Sequence, residues 1–122
     1  PPRYEGIQTD VFQWLAGNVG RKFDLIILDP PSLAKRESER SGAIRAYASL
    51  AQNALNHLRD RGILAAFSCS AHVAPEEFFG AIRNAVSASR RQWKETSTTG
   101  HAADHPATFP EAVYLKGIYL QF

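Results

Sequence analysis

Phe23-Asp24-Leu25-Ile26-Ile27-Leu28-Asp29-Pro30-Pro31 is a run of apolar residues broken only by Asp24 and stopped by an acid and two prolines. A run of this kind is what a strand shows when both faces are covered, as in a parallel sheet with helices on either side. Proline lacks the N–H that a ladder needs and fixes φ, so the strand must end there on a rigid segment. Working outward, strand and helix periods alternate. Upstream, residues 4–9 predict a short strand and 11–19 a helix, with Phe12, Leu15, Ala16 and Val19 at helical spacing before Gly20. Downstream, residues 35–42 are polar and predict an exposed loop. Ile44, Tyr47, Ala48, Ala51, Leu55 and Leu58 then share one helical stripe ending before Gly62. Ile63-Leu64-Ala65-Ala66-Phe67-Ser68 predicts a second apolar strand. Pro75-Glu76-Glu77 opens a helix, with acids where its dipole favours them, that runs to about Ser89 and buries Phe78, Phe79, Ile82, Ala85 and Val86. Residues 93–98 and 113–122 are strand-like and predict an antiparallel edge, joined by a loop over 100–110 that carries His101, Asp104 and His105.

This alternation predicts an α/β domain of three layers with a mostly parallel sheet and right-handed crossovers. The length of 122 residues holds one core and one domain. Apolar residues at 44%, charged residues at 21%, 8 Gly and 7 Pro exclude a disordered or collagen-like chain. A net charge of +2 permits a polyanionic partner without demanding one. Cys69 is the single cysteine, so no intrachain disulfide forms, and with four His it offers no zinc spacing and no metal site is expected. A reducing, cytoplasmic setting is expected. No apolar run approaches the ~20 residues of a membrane span.

Ligands of open α/β sheets sit at the carboxyl ends of strands. The first expected strand ends at Asp10, the second at Asp29-Pro30-Pro31 and the third at Ser68-Cys69-Ser70, which brings two carboxylates and the thiol to one edge. Each residue also has a plainer reading. Asp10 suits the cap of the helix that follows, Asp29 a turn acid before prolines, and a lone cysteine is most often buried and inert.

Taken in order, residues 24–35 with Asp29-Pro30-Pro31-Ser32, Phe67-Ser68-Cys69-Ser70, Ala102-Ala103-Asp104-His105-Pro106 and Tyr114-Leu115-Lys116-Gly117 resemble the ribosomal large-subunit RNA cytosine-5 methyltransferases. These are class I enzymes dependent on S-adenosylmethionine, and the resemblance covers nearly the whole chain. It implies a Rossmann-like class I methyltransferase fold, S-adenosylmethionine as cofactor and ribosomal RNA as partner. Cytosine C5 is a poor nucleophile, so a thiolate must first add to C6, and Cys69 is the one residue of the chain able to do so. A thiol in that role needs positive charge or a helix N-terminus nearby.

By the same resemblance Asp29 hydrogen-bonds the pyrimidine at N3 and also borders the cofactor. Asp10 accepts from the adenine amine, Phe12 lies beside the adenine, and Pro30 and Pro31 line the cavity between cofactor and base. Related two-cysteine enzymes carry a second cysteine after the prolines, where this chain has Ser32. The base that removes the C5 proton is unassigned, with His105 and His72 as candidates by residue type. Pro31, Lys35 and His105 are expected at the substrate, and Lys35, Arg36, Arg40 and Lys116 are expected to be exposed and to meet phosphates.

The family's first strands and its Gly-rich cofactor loop are expected before residue 1, so residues 1–122 read as the C-terminal part of a catalytic domain, not competent alone. Without those strands the apolar edge at 23–28 would be open, with pairing to a second copy as one outcome. Two other readings remain. In one, Asp29-Pro30-Pro31 presents another atom of a base, such as an exocyclic amine, and Cys69 is incidental; in the other, the domain is a silent scaffold that binds RNA or protein.

Overall fold

The computed structural model describes residues 3–100 and 114–122. Its elements in chain order are α1 (Val11–Gly17), β1 (Phe23–Leu28), a 3-10 turn (Glu37–Glu39), α2 (Arg40–Leu55), β2 (Leu58–Ser68), α3 (Pro75–Ala88), β3 (Lys94–Thr99) and β4 (Lys116–Gln121). The strands lie in the order β1-β2-β4-β3. β1 runs parallel to β2, with Leu25 opposite Ile63 and Leu28 opposite Ala66. β4 runs antiparallel to both β2 and β3, with Ala66 opposite Ile118 and Thr98 opposite Ile118 on the other side. The expected mostly parallel sheet is therefore a mixed one among the described strands. β4 enters between β2 and β3 in the direction opposite to both.

Alternation along each strand sorts the side chains. Ile26 and Leu28 of β1, Leu64 and Ala66 of β2, and Ile118 and Leu120 of β4 join the core formed with α2 and α3. Tyr47, Leu50, Ala51 and Ala54 of α2 and Phe78, Ile82, Ala85 and Val86 of α3 fill it from the helix side. Tyr47 meets Phe78 edge to face at 5.1 Å between ring centres, the arrangement that sets a positive ring edge on a negative ring face. The opposite face of the sheet carries Leu25 and Ile27, 53% and 60% exposed. The described residues thus supply one helical layer on one face, where three layers are expected. An apolar cleft of about 290 Å³ lies between α1 and β1, lined by Val11, Trp14, Leu15, Leu25 and Ile27 among others.

Other expectations shift at their boundaries. Residues 4–9 form no strand and are exposed, since they find no partner strand among the described residues. The first helix stops at Gly17, with Asn18 as its C-cap. The stripe carrying Leu55 and Leu58 divides: α2 ends at Leu55, and Leu58 begins β2. Arg59, Asp60 and Arg61 are an excursion inside β2, where the pairing with β1 jumps between Phe23 and Leu25 and Arg61 takes φ of 66°. The expected loop over 35–42 closes instead into the 3-10 turn and the first residues of α2. The antiparallel edge and the bounds of α3 agree with expectation. At α3, Glu77 Oε1 accepts from Ala74 N at 3.1 Å and satisfies one of the first-turn donors. Arg83 of α3 donates twice to Glu95 of β3, at 2.7 and 3.1 Å, and these hydrogen bonds hold the Glu95 carboxyl below its ordinary range.

Gly117 is where the open face of the sheet is tightest. A Cβ there would lie 2.5 Å from the Phe67 ring and 2.9 Å from Thr99 Oγ1. The ring cannot swing away freely, because it stands edge to face on Tyr119 at 5.6 Å. Gly117→Ala is expected to destabilise by about 1–3 kcal/mol, the usual cost of overpacking. Urea unfolding checks it, and an unchanged midpoint would refute the tight fit.

Candidate active site at the carboxyl edge of the sheet

Because β1 and β2 run parallel with Leu28 opposite Ala66, Asp29 and Cys69 leave the same edge of the sheet. Prolines 30 and 31 prevent β1 from continuing, and the chain turns toward β2 through Ser32, Leu33 and Ala34. Hydroxyls tie the two strand ends together. Ser68 Oγ donates to Tyr47 Oη at 2.8 Å, Tyr47 Oη lies 2.8 Å from Ser70 Oγ, Ser70 Oγ lies 3.2 Å from Ser32 Oγ, and Ser32 Oγ donates to the Ala34 carbonyl at 3.1 Å.

Each hydroxyl has a single proton, so the order of donation is fixed from its end. The Ala34 carbonyl can only accept, which spends the Ser32 proton; Ser70 must then donate to Ser32, and Tyr47 to Ser70. Ser70 Oγ also accepts from Leu33 N at 3.1 Å, and Ser68 Oγ from Ser70 N at 3.2 Å. The segment after the prolines is thereby fastened to both neighbours of Cys69. No buried side-chain polar atom among the described residues lacks a partner, as a buried polar network requires to be stable. Tyr47→Phe removes the central hydroxyl and leaves the Ser68 proton without its acceptor. It is expected to cost about 1–3 kcal/mol and to speed amide exchange at Leu33; unchanged exchange there would show that the hydroxyls do not hold the segment.

Lys116 is the largest departure from the sequence reading. It is not exposed to phosphates but 2% exposed, with Nζ donating to the Ser70 carbonyl at 2.6 Å and to the Tyr114 carbonyl at 3.1 Å. Its place in β4 opposite Ser68 points it into the helix-covered face. Burial pushes its ammonium below the ordinary lysine value, and attraction to Cys69 and Glu77 opposes the push. Cys69 itself is a free thiol and half-buried.

The remaining expected residues distribute unevenly. Asp29 and Pro31 are exposed and Pro30 half-buried at the strand end. Asp10 does not end a strand: it is the N-cap of α1, its Oδ1 accepting from Gln13 N at 3.0 Å, and its other oxygen has no partner among the described residues. Phe12, 40% exposed, follows on the same helix. Lys35 is exposed at the foot of the same segment. Arg40 pairs with Glu37 and Glu77, each at 3.2 Å, and Arg36 with Glu39 at 3.8 Å, so both cations already have carboxylate partners. His72 faces Glu37 at 3.5 Å on the surface. His105 and the Ala102-Ala103-Asp104-His105-Pro106 segment lie outside the described residues. Among the described residues no cluster of His, Cys, Asp and Glu could hold a metal, and no helix is long and apolar enough to cross a membrane.

Tyr47, Ser68 and Ser70 carry the site's framework and were not expected there. The signal lay in a tyrosine on the buried stripe of α2 and in serines on both sides of the only thiol.

The fold matches known structures. A protein described as a methyltransferase, solved in complex with SAH, superposes on 93% of this chain and 30% of its own length, with a TM-score of 0.77 and 22% identity. A protein described as a SAM-dependent methyltransferase from Streptococcus mutans does so with a TM-score of 0.76 and 20% identity, over 93% of this chain and 30% of its own. The chain has the Rossmann-like fold of class I methyltransferases.

In sequence it is 52% identical over 120 residues to the ribosomal RNA large subunit methyltransferase of Deinococcus radiodurans, covering 97% of this chain and 29% of that protein. It is 39% identical over 117 residues to ribosomal RNA large subunit methyltransferase I of Serratia proteamaculans and 38% to that of Escherichia coli O1:K1, in each case over 93% of this chain and 30% of the relative. No family model matches. The chain resembles the ribosomal RNA large-subunit methyltransferases in sequence, and it spans about 30% of the length of these relatives.

Proposed function

We propose that the protein carrying this chain transfers a methyl group from S-adenosylmethionine to C5 of a cytosine in ribosomal RNA through a covalent bond to Cys69. The observation that carries the reading is the fastening of Asp29-Pro30-Pro31-Ser32 to the Ser68-Cys69-Ser70 turn, which brings an acid, a rigid shelf and a thiol to one sheet edge. The names of the relatives support methylation of ribosomal RNA, and the fold supports the cofactor.

The edge residues fit such a cofactor. Asp10 offers a carboxylate oxygen without a partner among the described residues, and Phe12 an exposed ring on the same turn of α1. Asp10 and Phe12 would hold the adenine, with Asp29 and Pro30 beside the methyl-bearing end. When bound, the cofactor supplies an electrophilic methyl on a sulfonium. In this reading Cys69 Sγ forms a bond to C6, the C5–C6 π pair moves to C5 in conjugation with N3, and a proton shared between the Asp29 carboxyl and N3 would stabilise the charge. C5 would then take the methyl as the methyl–sulfur bond breaks and its electron pair stays on the sulfur, leaving a neutral thioether. A base removes the C5 proton, the C6–S bond breaks, and the thiolate leaves as the ring double bond is restored. His72 and His105 are the proposed residues for that proton. Pro31 and Lys35 flank the incoming strand, Lys35 through its phosphates.

The test uses the full-length protein with S-adenosylmethionine and ribosomal RNA carrying 5-fluorocytidine, whose fluorine blocks loss of the C5 substituent. A denaturant-resistant adduct on the Cys69 peptide is expected. Methylated RNA without an adduct would transfer the reaction to another atom of a base, and neither signal from well-folded protein would favour the silent scaffold.

A further inference from the structure

A buried ammonium is costly unless a negative charge answers it. Lys116 is almost fully buried, yet no carboxylate among the described residues lies within ion-pair distance of it. Its two hydrogen-bond partners are main-chain carbonyls, which accept protons but carry no full charge. The groups facing it are few. From α3 comes Glu77, whose carboxylate is already engaged by Arg40 at 3.2 Å and by Ala74 N. From α2 comes the Tyr47 hydroxyl, spent within the hydroxyl chain. From the turn after β2 come Ser70 and Cys69, with His72 further out against Glu37. Asp29 lies exposed beyond β1.

The ladder fixes where the lysine stands relative to the thiol. Lys116 is paired with Ser68, the residue before Cys69, and its Nζ is bonded to the carbonyl of Ser70, the residue after it. The cation is therefore held across the turn that presents the thiol.

We propose that Lys116 is a positioning residue for Cys69: its buried ammonium, held on the Ser70 carbonyl by a lysine whose backbone pairs with Ser68, is the fixed counter-charge of the Cys69 thiolate. This rests on the reading of Cys69 as nucleophile and adds how that nucleophile is made available near neutral pH. It also explains why a lysine is buried in a strand without a carboxylate partner among the described residues. An anion on Cys69 supplies the missing charge, and the two carbonyls keep the cation from turning toward solvent.

The test follows alkylation of Cys69 by iodoacetamide across pH in the full-length protein, read on the Cys69 peptide by mass spectrometry. The rate midpoint is expected to lie below that of the same chain unfolded in denaturant, the direction in which an opposite charge favours the thiolate. Lys116→Met is expected to move the native midpoint up by about one unit or more, and Lys116→Arg to restore most of the difference. A folded Lys116→Met protein with the wild-type midpoint overturns the proposal. Should that variant not fold, Lys116→Gln, which keeps a donor for the carbonyls but no charge, decides in the same way. Tyr47→Phe loses a hydroxyl and no charge, so a shift as large as that of Lys116→Met would assign the effect to packing and overturn the proposal too. Neither RNA nor cofactor enters this assay. Failure to trap an adduct with 5-fluorocytidine would therefore sink the nucleophile reading and leave the alkylation result standing by itself.

Discussion

Cys69→Ala in the full-length protein is expected to lower methyl transfer to ribosomal RNA by about 10⁴-fold or more, the scale on which enzymes lose activity when a covalent nucleophile is removed. The fold should survive. Cys69 is half-buried at the turn after β2, and none of the hydrogen bonds that fasten the turn involves its sulfur. Tritium transfer from labelled S-adenosylmethionine into RNA measures the effect, with circular dichroism as the control for folding. A variant that methylates at the wild-type rate would rule out the thiol mechanism. The Asp29-Pro30-Pro31 shelf would then serve another atom of the base.

Phe78→Ala is expected to cost about 3–5 kcal/mol, the range for deleting a buried aromatic side chain. Domains of this size are stable by only about 5–15 kcal/mol in total. Phe78 is fully buried on α3 and supports the Tyr47 ring edge to face. Its removal opens a cavity beside the residue whose hydroxyl joins Ser68 to Ser70. The loss should appear as a lower urea midpoint and also as faster amide exchange at Leu33 and Ala34, well away from the substitution. A stability loss below about 1 kcal/mol would mean that the site collapses around the cavity more fully than the packing here allows.

What could be read from sequence follows from the length scale of each signal. β1 and α3 were legible because their apolar patterns are local and bounded by proline and by first-turn acids. The start of β2 was not, since Leu58 continues the helical spacing of α2, and Arg59-Asp60-Arg61 proves to be an excursion within a strand that resumes at Gly62. Residues 4–9 have a strand-like composition, but a strand also needs a neighbour, and the described residues offer none. At the site, Asp29, Pro30, Pro31 and Cys69 were placed correctly at strand ends, whereas Asp10 was given a strand end and proves to be a helix cap. Lys116 was misread because a lysine near a strand start is ordinarily solvated; its burial follows from pairing with Ser68, a contact across 48 positions of sequence that no local pattern encodes. The hydroxyl chain escaped for the same reason: its members come from three separate segments and acquire meaning only once these are side by side.

The position of β4 also governs the order in which the domain can be assembled. β4 is made after β3, yet lies between β2 and β3. A chain growing from its N-terminus can pair β1 with β2 and pack α2 and α3 early, but β3 has no strand to join until β4 has been synthesised. Lys116 arrives in that same step, so the thiol turn is built before its cation. Cys69 would therefore meet the solvent for a time as an ordinary thiol, and the chemistry proposed for it would switch on only with the insertion of a central strand, among the slower events in sheet formation because the contacts it makes are distant in sequence.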